Sequence, residues 1–464
     1  MNFLFVGMYT CPSHLQHNFM VDSYFDEKYM EKKSTTTNHF SYYKGYYIGL
    51  GLRDLGHNVS FLYGELLKPV EHNNIHYIPP SEIIPSYLCK LDAIIFTKHN
   101  TGEIDKVLTN CPHMKELFMK KAEEDKNEYI SKPYLTIRTC VLPSITYLSE
   151  IKVDIGNIFD LFFVQTPEVE MDKSIIKSII GIRKFYDYKK SKGCGFLKLK
   201  NIKKYLDDGG YENHRVHYSE MYVLKDIRID IKNLIIKKSK YYVCYIGRLR
   251  QNFGMVIPMM MKLMNQLGND YTLIILPGSF NLPNQEKQVK YNPNREHHLQ
   301  QLKNYFANKK VDFCEKYKNL QAHPNDYIIE NVECNIEVYD PVSWGEQYNI
   351  ISQCDVALNF SPNRVSGYEC HVANTKIFDY IASGVPIVSE SGCQNNHMID
   401  KYKCGVVLKD IGTVKQYKDA ILKIMTTKFD KKKIRENFIS NENYLCRAQE
   451  MTKIFEEVDD FYLN

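Results

Sequence analysis

The stretch Asn374-Thr375-Lys376-Ile377-Phe378-Asp379-Tyr380-Ile381-Ala382-Ser383-Gly384-Val385-Pro386-Ile387-Val388 reads as a helix, a glycine stop and a buried strand. Asn374 or Thr375 can cap the helix, which leaves its first backbone N–H groups facing outward, where an anion can meet them. Gly384 supplies the stop. Asp379 lies about one turn into the helix, on its polar side, and can accept hydrogen bonds there.

The same order recurs along the chain. Before this stretch, Asp355-Val356-Ala357-Leu358-Asn359-Phe360 reads as a strand, as do residues 241–246, 271–276 and 336–339. A helix is expected over residues 255–267, with Met and Ile on its buried face. In the first half, residues 3–6, 58–62, 92–96, 133–137 and 161–164 are strand-like. Residues 42–55 are helical, with Ile48, Leu52 and Leu55 at helical spacing and Gly56 in the C-cap position. Strands alternating with helices argue for an α/β protein with parallel, doubly wound sheets. The pattern degrades into a Lys-rich stretch over residues 184–240, so the expected domains are 1–225 and 226–440. The second carries a polar insertion at 280–332, and a C-terminal helix over 441–464 is expected to cross back to the first domain.

Composition narrows the class. The 60 basic and 55 acidic residues leave a net charge of +5, too even to imply nucleic-acid binding but compatible with a locally basic cleft. Thirteen cysteines are spread through the chain without a CxxC pair, which favours a reducing, cytoplasmic setting over a disulfide framework. No signal peptide is expected, and no apolar run approaches the roughly 18–20 residues of a membrane helix. Peripheral membrane contact stays open. His297-His298 and His72 with His76 lack matching carboxylates or cysteines, so no metal site is expected.

A second informative segment is Tyr245-Ile246-Gly247-Arg248-Leu249-Arg250-Gln251-Asn252-Phe253-Gly254. A buried strand ends in glycine and a basic residue follows, which places Arg248 at the carboxyl edge of a parallel sheet, where ligands bind. A guanidinium there can hold a diphosphate bidentately.

Together these two segments resemble the retaining family-four glycosyltransferases, a GT-B group with two Rossmann-like domains facing a central cleft. That group has a Gly-Arg-Leu strand end and a helix of the form Lys-x-Phe-Glu-Tyr-x-Ala-x-Gly-x-Pro-Val-Val. Leu52-Arg53-Asp54-Leu55-Gly56-His57-Asn58-Val59 resembles its L-x-x-x-G-H-x-V element. The resemblance implies transfer from a nucleotide-diphosphate sugar, with retention, without metal and without a cofactor beyond the donor itself. The acceptor, a glycan, protein or small molecule, is not specified.

Residue by residue, the resemblance puts Arg248, Asn374, Thr375 and Lys376 on the diphosphate and Asp379 on the ribose. The family lysine about five residues after the arginine is replaced by Phe253, which makes Arg250 the candidate substitute. The family's first glutamate aligns with His371, with Glu369 two residues earlier, and these are the candidates for the donor sugar. His99, after the strand ending at Phe96, falls where the family places a catalytic histidine facing that sugar. The altered positions leave two rivals, a non-catalytic GT-B binding protein and a sugar-nucleotide epimerase of the same fold. A DNA-modifying transferase is disfavoured by the balanced charge.

Overall fold

In the computed structural model the described residues are 1–6, 39–63, 66–72, 74–97, 101–124, 129–139, 147–148, 153–154, 158–164, 168–169, 197–198, 216–219, 221–227, 229, 239–247, 256–277, 335–338, 344–360, 375–391, 393, 395–409 and 411–463. The chain divides into two compact units. One is built from residues within 1–222 together with Tyr444–Asn464, and the other contains Val223–Asn443.

The first unit holds β1 (Asn2–Val6), α1 (His39–Asp54), β2 (Asn58–Leu62), β3 (Val70–His72), β4 (Ile75–Ile78), β5 (Ala93–Phe96), α2 (Thr101–Asn110), α3 (Pro112–Glu123), β6 (Tyr134–Thr139), β7 (Leu161–Val164) and β8 (Val216–Tyr218). Its sheet runs β8-β7-β6-β5-β1-β2-β4-β3, parallel except for the β3–β4 pair. Phe3 to Val6 and Ala93 to Phe96 are buried throughout, as strands covered on both faces must be. On one face Leu4, Ile94 and Phe96 join Ile104, Met114 and Phe118 of α2 and α3 in one apolar cluster.

The second unit holds β9 (Tyr241–Gly247), α4 (Val256–Leu267), β10 (Tyr271–Pro277), β11 (Asn335–Val338), α5 (Trp344–Ser352), β12 (Val356–Asn359), α6 (Thr375–Ala382), β13 (Ile387–Glu390), α7 (Asn396–Lys401), β14 (Gly405–Leu408), α8 (Val414–Thr426) and α9 (Lys431–Asn441). Its six-stranded sheet is wholly parallel, in the order β11-β10-β9-β12-β13-β14. Met259, Met260, Met261, Leu263 and Met264 of α4 pack with Tyr417, Ile421 and Ile424 of α8 over this sheet. The unit closes on itself where Val223 N–H donates to the Glu442 carbonyl at 2.9 Å.

The chain then returns to the first unit as α10 (Tyr444–Leu463). Phe455 packs against Phe3, Tyr134 and Phe163 at centroid distances of 5.4, 6.2 and 5.9 Å. Tyr134 donates a 2.6 Å hydrogen bond to Asp459, and Lys132 pairs with the same carboxylate at 2.7 Å. His57, from the L-x-x-x-G-H-x-V element, shares a 3.2 Å hydrogen bond with the Thr452 hydroxyl and meets Phe3 edge-on. That histidine serves packing.

The two sheets begin alike. Asp92, just before β5, accepts from the Asn2 backbone N–H at 2.8 Å and returns its own N–H to the Asn2 carbonyl at 2.9 Å. Asp355, just before β12, does the same with Tyr242, both bonds measuring 2.8 Å. In each unit an aspartate therefore ties the first strand to the strand on the far side of the point where strand order reverses.

Gly384 ends α6 at φ +73°, with Val385 N–H on the Tyr380 carbonyl at 3.0 Å and Gly384 N–H on the Ile381 carbonyl at 2.8 Å. This left-handed cap favours glycine. A Cβ at Gly384 would also run into the backbone carbonyl of Lys431 at the start of α9. Gly384→Ala is therefore expected to destabilise the second unit by about 2 kcal/mol or more. Urea denaturation checks this, and an unchanged midpoint would show that the cap tolerates a side chain.

Candidate functional site in the second unit

Strand order in the second sheet reverses between β9 and β12, and a crevice opens at the carboxyl ends of strands at such a switch point. The two strands pair only at Val243 with Val356 and Cys244 with Ala357. In the first unit the matching β1–β5 ladder continues over four residue pairs, from Phe3–Ala93 to Val6–Phe96. The difference has a local cause. The buried Tyr380 of α6 places its hydroxyl between the strands, accepting from Ile246 N–H at 2.9 Å and donating to the Leu358 carbonyl at 3.1 Å. A side chain replaces the next rung of the ladder, and both backbone groups stay satisfied.

Lys376 lies one turn before Tyr380 on the same helix face. Its ammonium stands 4.5 Å from the ring centroid of Tyr245 and 3.5 Å from that hydroxyl. It also underlies the turn at Gly247, whose φ is +147° and where an added Cβ would lie 3.0 Å from Lys376 Nζ. Burial lowers the pKa of Lys376 to about 8, against the opposing influence of Cys393 and Asp379. Asp379 is half-buried and accepts a 3.0 Å hydrogen bond from Tyr348 of α5, so one carboxylate oxygen is fixed in place.

A polar cluster braces the neighbouring strand ends. The buried Asn359 donates to Ser389 Oγ at 2.8 Å and to Cys393 Sγ at 3.2 Å. Ser389 in turn donates to Asn396 at 2.6 Å. Asn396 donates to the Glu390 carbonyl at 2.7 Å, while the Glu390 carboxylate accepts from Gly412 N–H at 3.0 Å. This network fixes the carboxyl ends of β12 and β13, which border the crevice.

Of the sequence-predicted site residues, Thr375, Lys376 and Asp379 are described, all on the first turns of α6, which begins at Thr375. His99, Arg248, Arg250, Glu369, His371 and Asn374 lie outside the described residues, as does the insertion at 280–332. Arg248 directly follows Gly247 in the chain, and His99 follows β5 by three residues. Sequence reasoning missed Tyr245, Tyr348 and Tyr380 as site-building residues. It also missed Asn359 and Ser389, whose signal was a polar residue closing an otherwise apolar strand run. Among the described residues no group of three or more His, Cys, Asp or Glu side chains is arranged to hold a metal ion.

No protein-family model matches the sequence, and no curated protein matches it. Solved structures do. Sucrose-phosphate synthase from Thermosynechococcus elongatus aligns with a TM-score of 0.51 at 10% identity, over 99% of this chain and 99% of that one. A glycosyltransferase from Rickettsia africae aligns at 0.48 and 10% identity, over 98% of each chain. An alpha,alpha-trehalose-phosphate synthase (UDP-forming) from Burkholderia vietnamiensis aligns at 0.48 and 10% identity, over 98% of this chain and 99% of that one. The chain has the GT-B fold, in two Rossmann-like units.

Tyr380→Phe removes the hydroxyl and leaves Ile246 N–H and the Leu358 carbonyl without their partner. The expected loss is about 1–3 kcal/mol of stability. Chemical denaturation measures it, and a variant as stable as wild type would mean that the strands re-pair without the hydroxyl.

Proposed function

We propose that this protein is a glycosyltransferase that moves a sugar from a nucleotide-diphosphate sugar to a hydroxyl of a glycan, protein or small-molecule acceptor. The observation that carries this reading is the meeting, at one switch point, of the Gly247 turn with the Lys376 ammonium at the start of α6. A helix start, a lysine and the arginine next in the chain put positive charge where a leaving diphosphate would gather negative charge. The GT-B fold supports the same reading.

In the transfer, the bond from the anomeric carbon to the diphosphate oxygen breaks, and its electron pair leaves with the nucleotide diphosphate. The acceptor oxygen forms the new bond at that carbon and gives up its proton to the departing phosphate or to water. Arg248, Arg250, Asn374, Thr375 and Lys376 hold the diphosphate, and Asp379, oriented by Tyr348, takes the ribose. Glu369 and His371 face the donor sugar. The resemblance assigns retention, and a product of inverted anomeric configuration would remove that part of the reading. The charge on the leaving group is met by side chains and helix N–H groups, so no divalent cation or further cofactor is required.

The described cysteines, Cys89, Cys111, Cys244, Cys354, Cys393, Cys404 and Cys446, are free thiols. This fits a reducing cytoplasm. Among the described residues no helix is long and apolar enough to cross a membrane.

Arg248→Ala should weaken binding of a nucleoside diphosphate, measured calorimetrically in EDTA, by about 1.5–3 kcal/mol, the scale of a charge-assisted hydrogen bond. An unchanged affinity, or wild-type binding abolished by EDTA, would sink the metal-free arginine assignment. His99→Ala should lower kcat by about tenfold or more while leaving nucleoside-diphosphate affinity and Tm nearly unchanged. A variant that melts several degrees lower yet turns over at the wild-type rate would make His99 a structural residue.

A further inference from the structure

The positive charge of this chain is concentrated in one stretch. From Asp400 to Glu436 there are eleven Lys or Arg residues against five Asp or Glu, a surplus of six where the whole chain has a net charge of +5. The strands of a wholly parallel sheet start at one edge, and the fold gathers much of this charge there. The Lys431 ammonium donates to the Cys354 carbonyl at 2.7 Å, just before β12, and the Lys431 carbonyl lies against Gly384, just before β13. Helix α9 therefore begins at the amino edge, and α8, which ends at Thr426, arrives at the same edge. Lys403 stands there too, two residues before β14. Lys403, Lys423, Lys428, Lys432 and Lys433 are all exposed. Among the described residues only Lys432 of these five has an ion pair, at 3.9 Å with Glu436.

Beside these lysines Leu422 of α8 is 42% exposed, and no other large apolar side chain among the described residues of the second unit is exposed. Helix faces that serve only solvation mix both signs of charge, as Lys415 and Asp419 do earlier in α8 at 2.7 Å. Lysines around an exposed leucine fit an anionic bilayer, whose headgroups attract the ammonium groups while the apolar side chain enters the interface. Single-stranded nucleic acid instead favours aromatic platforms. The one aromatic residue between Lys418 and Lys433, Phe429, is packed against the core.

We infer that the amino edge of the second sheet, with Lys403, Lys423, Lys428, Lys432, Lys433 and Leu422, is a docking surface for a bilayer of anionic phospholipids.

This surface lies at the opposite edge of the sheet from the donor crevice, and its occupant does not depend on what the crevice holds. Held by its amino edge, the second unit turns the carboxyl ends of β9 and β12 away from the lipid and toward water. Attraction of this kind is long-range and screened by salt, so docking is reversible and weakens as ionic strength rises. Entry of Leu422 into the interface adds a part that salt does not screen.

The test is flotation of the full chain with vesicles of phosphatidylcholine alone, or with about 30% phosphatidylserine, at roughly 0.05 and 0.5 M salt. Wild type should bind the anionic vesicles at low salt, bind them more weakly at high salt, and leave phosphatidylcholine alone. A lysine near such a surface contributes roughly fivefold, so the triple variant Lys423→Gln/Lys428→Gln/Lys433→Gln should bind about a hundredfold more weakly. A control triple, Lys68→Gln/Lys90→Gln/Lys120→Gln, removes the same charge from exposed positions of the first unit and should bind like wild type. Leu422→Gln should bind severalfold more weakly at both salt concentrations, a loss that a purely electrostatic partner would not register. If the first triple does not fold, Lys428→Glu alone, in the turn between α8 and α9, should cost about 25-fold. Absence of wild-type binding to anionic vesicles at low salt overturns the inference, as does an equal loss in the control triple. Unchanged vesicle binding in Leu422→Gln overturns it as well. Tighter binding of single-stranded DNA than of vesicles, lost in the first triple, would assign the surface to nucleic acid instead.

Discussion

The Tyr380 hydroxyl occupies the place of a ladder rung between β9 and β12, and the crevice depends on that substitution. Two parallel strands left to themselves pair along their common length, as β1 and β5 do. Here the ladder is clamped at its amino end by Asp355 and interrupted at its carboxyl end by a side chain from α6. The strands pair at one end only, and at the interruption the Ile246 N–H and the Leu358 carbonyl both stay paired. Because Tyr380 belongs to the helix that also carries Lys376 and Asp379, the residue that parts the strands also sets where the helix start stands. Site position and sheet geometry are one constraint.

Around that wedge the strand ends are polar while their middles are not. Asn359 and Ser389 close apolar runs and reach across to Asn396 and Cys393, so the edge bordering the crevice is held by hydrogen bonds with defined directions. Apolar contacts are tolerant of small displacements, whereas a hydrogen-bonded cluster specifies a single arrangement. Such a surround suits a site whose chemistry is positioning and charge compensation.

Much of the fold was legible in the sequence because parallel strands covered on both faces are short, nearly continuous apolar runs. Phe3–Val6, Ala93–Phe96 and Tyr241–Ile246 announce themselves in that way, and Gly56 and Gly384 mark helix ends by the left-handed turn they permit. The short β3, Val70–His72, and β4, whose run Ile75–Ile78 is interrupted by His76, give no such continuous signal. The candidate site was legible only in part. Lys376 and Asp379 stood out as charged residues at the start of an apolar helix. Tyr380 did not, since a buried tyrosine reads as core until its hydroxyl is seen between two backbones. Phe253 drew attention to a missing cation and pointed along the chain to Arg250. The lysine beneath Gly247 is brought there by tertiary structure, from a segment that sequence proximity to Phe253 does not reach.

The return of α10 to the first unit bears on how the protein is made. On a ribosome, β1, β6 and β7 emerge before Val223–Asn443 of the second unit, while Phe455 and Asp459, which cover and tie them, emerge after it. Phe3, Tyr134 and Phe163 therefore wait with an apolar face uncovered while the second sheet is synthesised, and exposed apolar surface of that kind is what chaperones bind and aggregation exploits. The described strands and helices β9 to α9 of the second unit lie between Val223 and Glu442, so they emerge together without waiting for α10. Chain order thus lets the later-made half complete its core first, and the earlier-made half is finished last by its final helix.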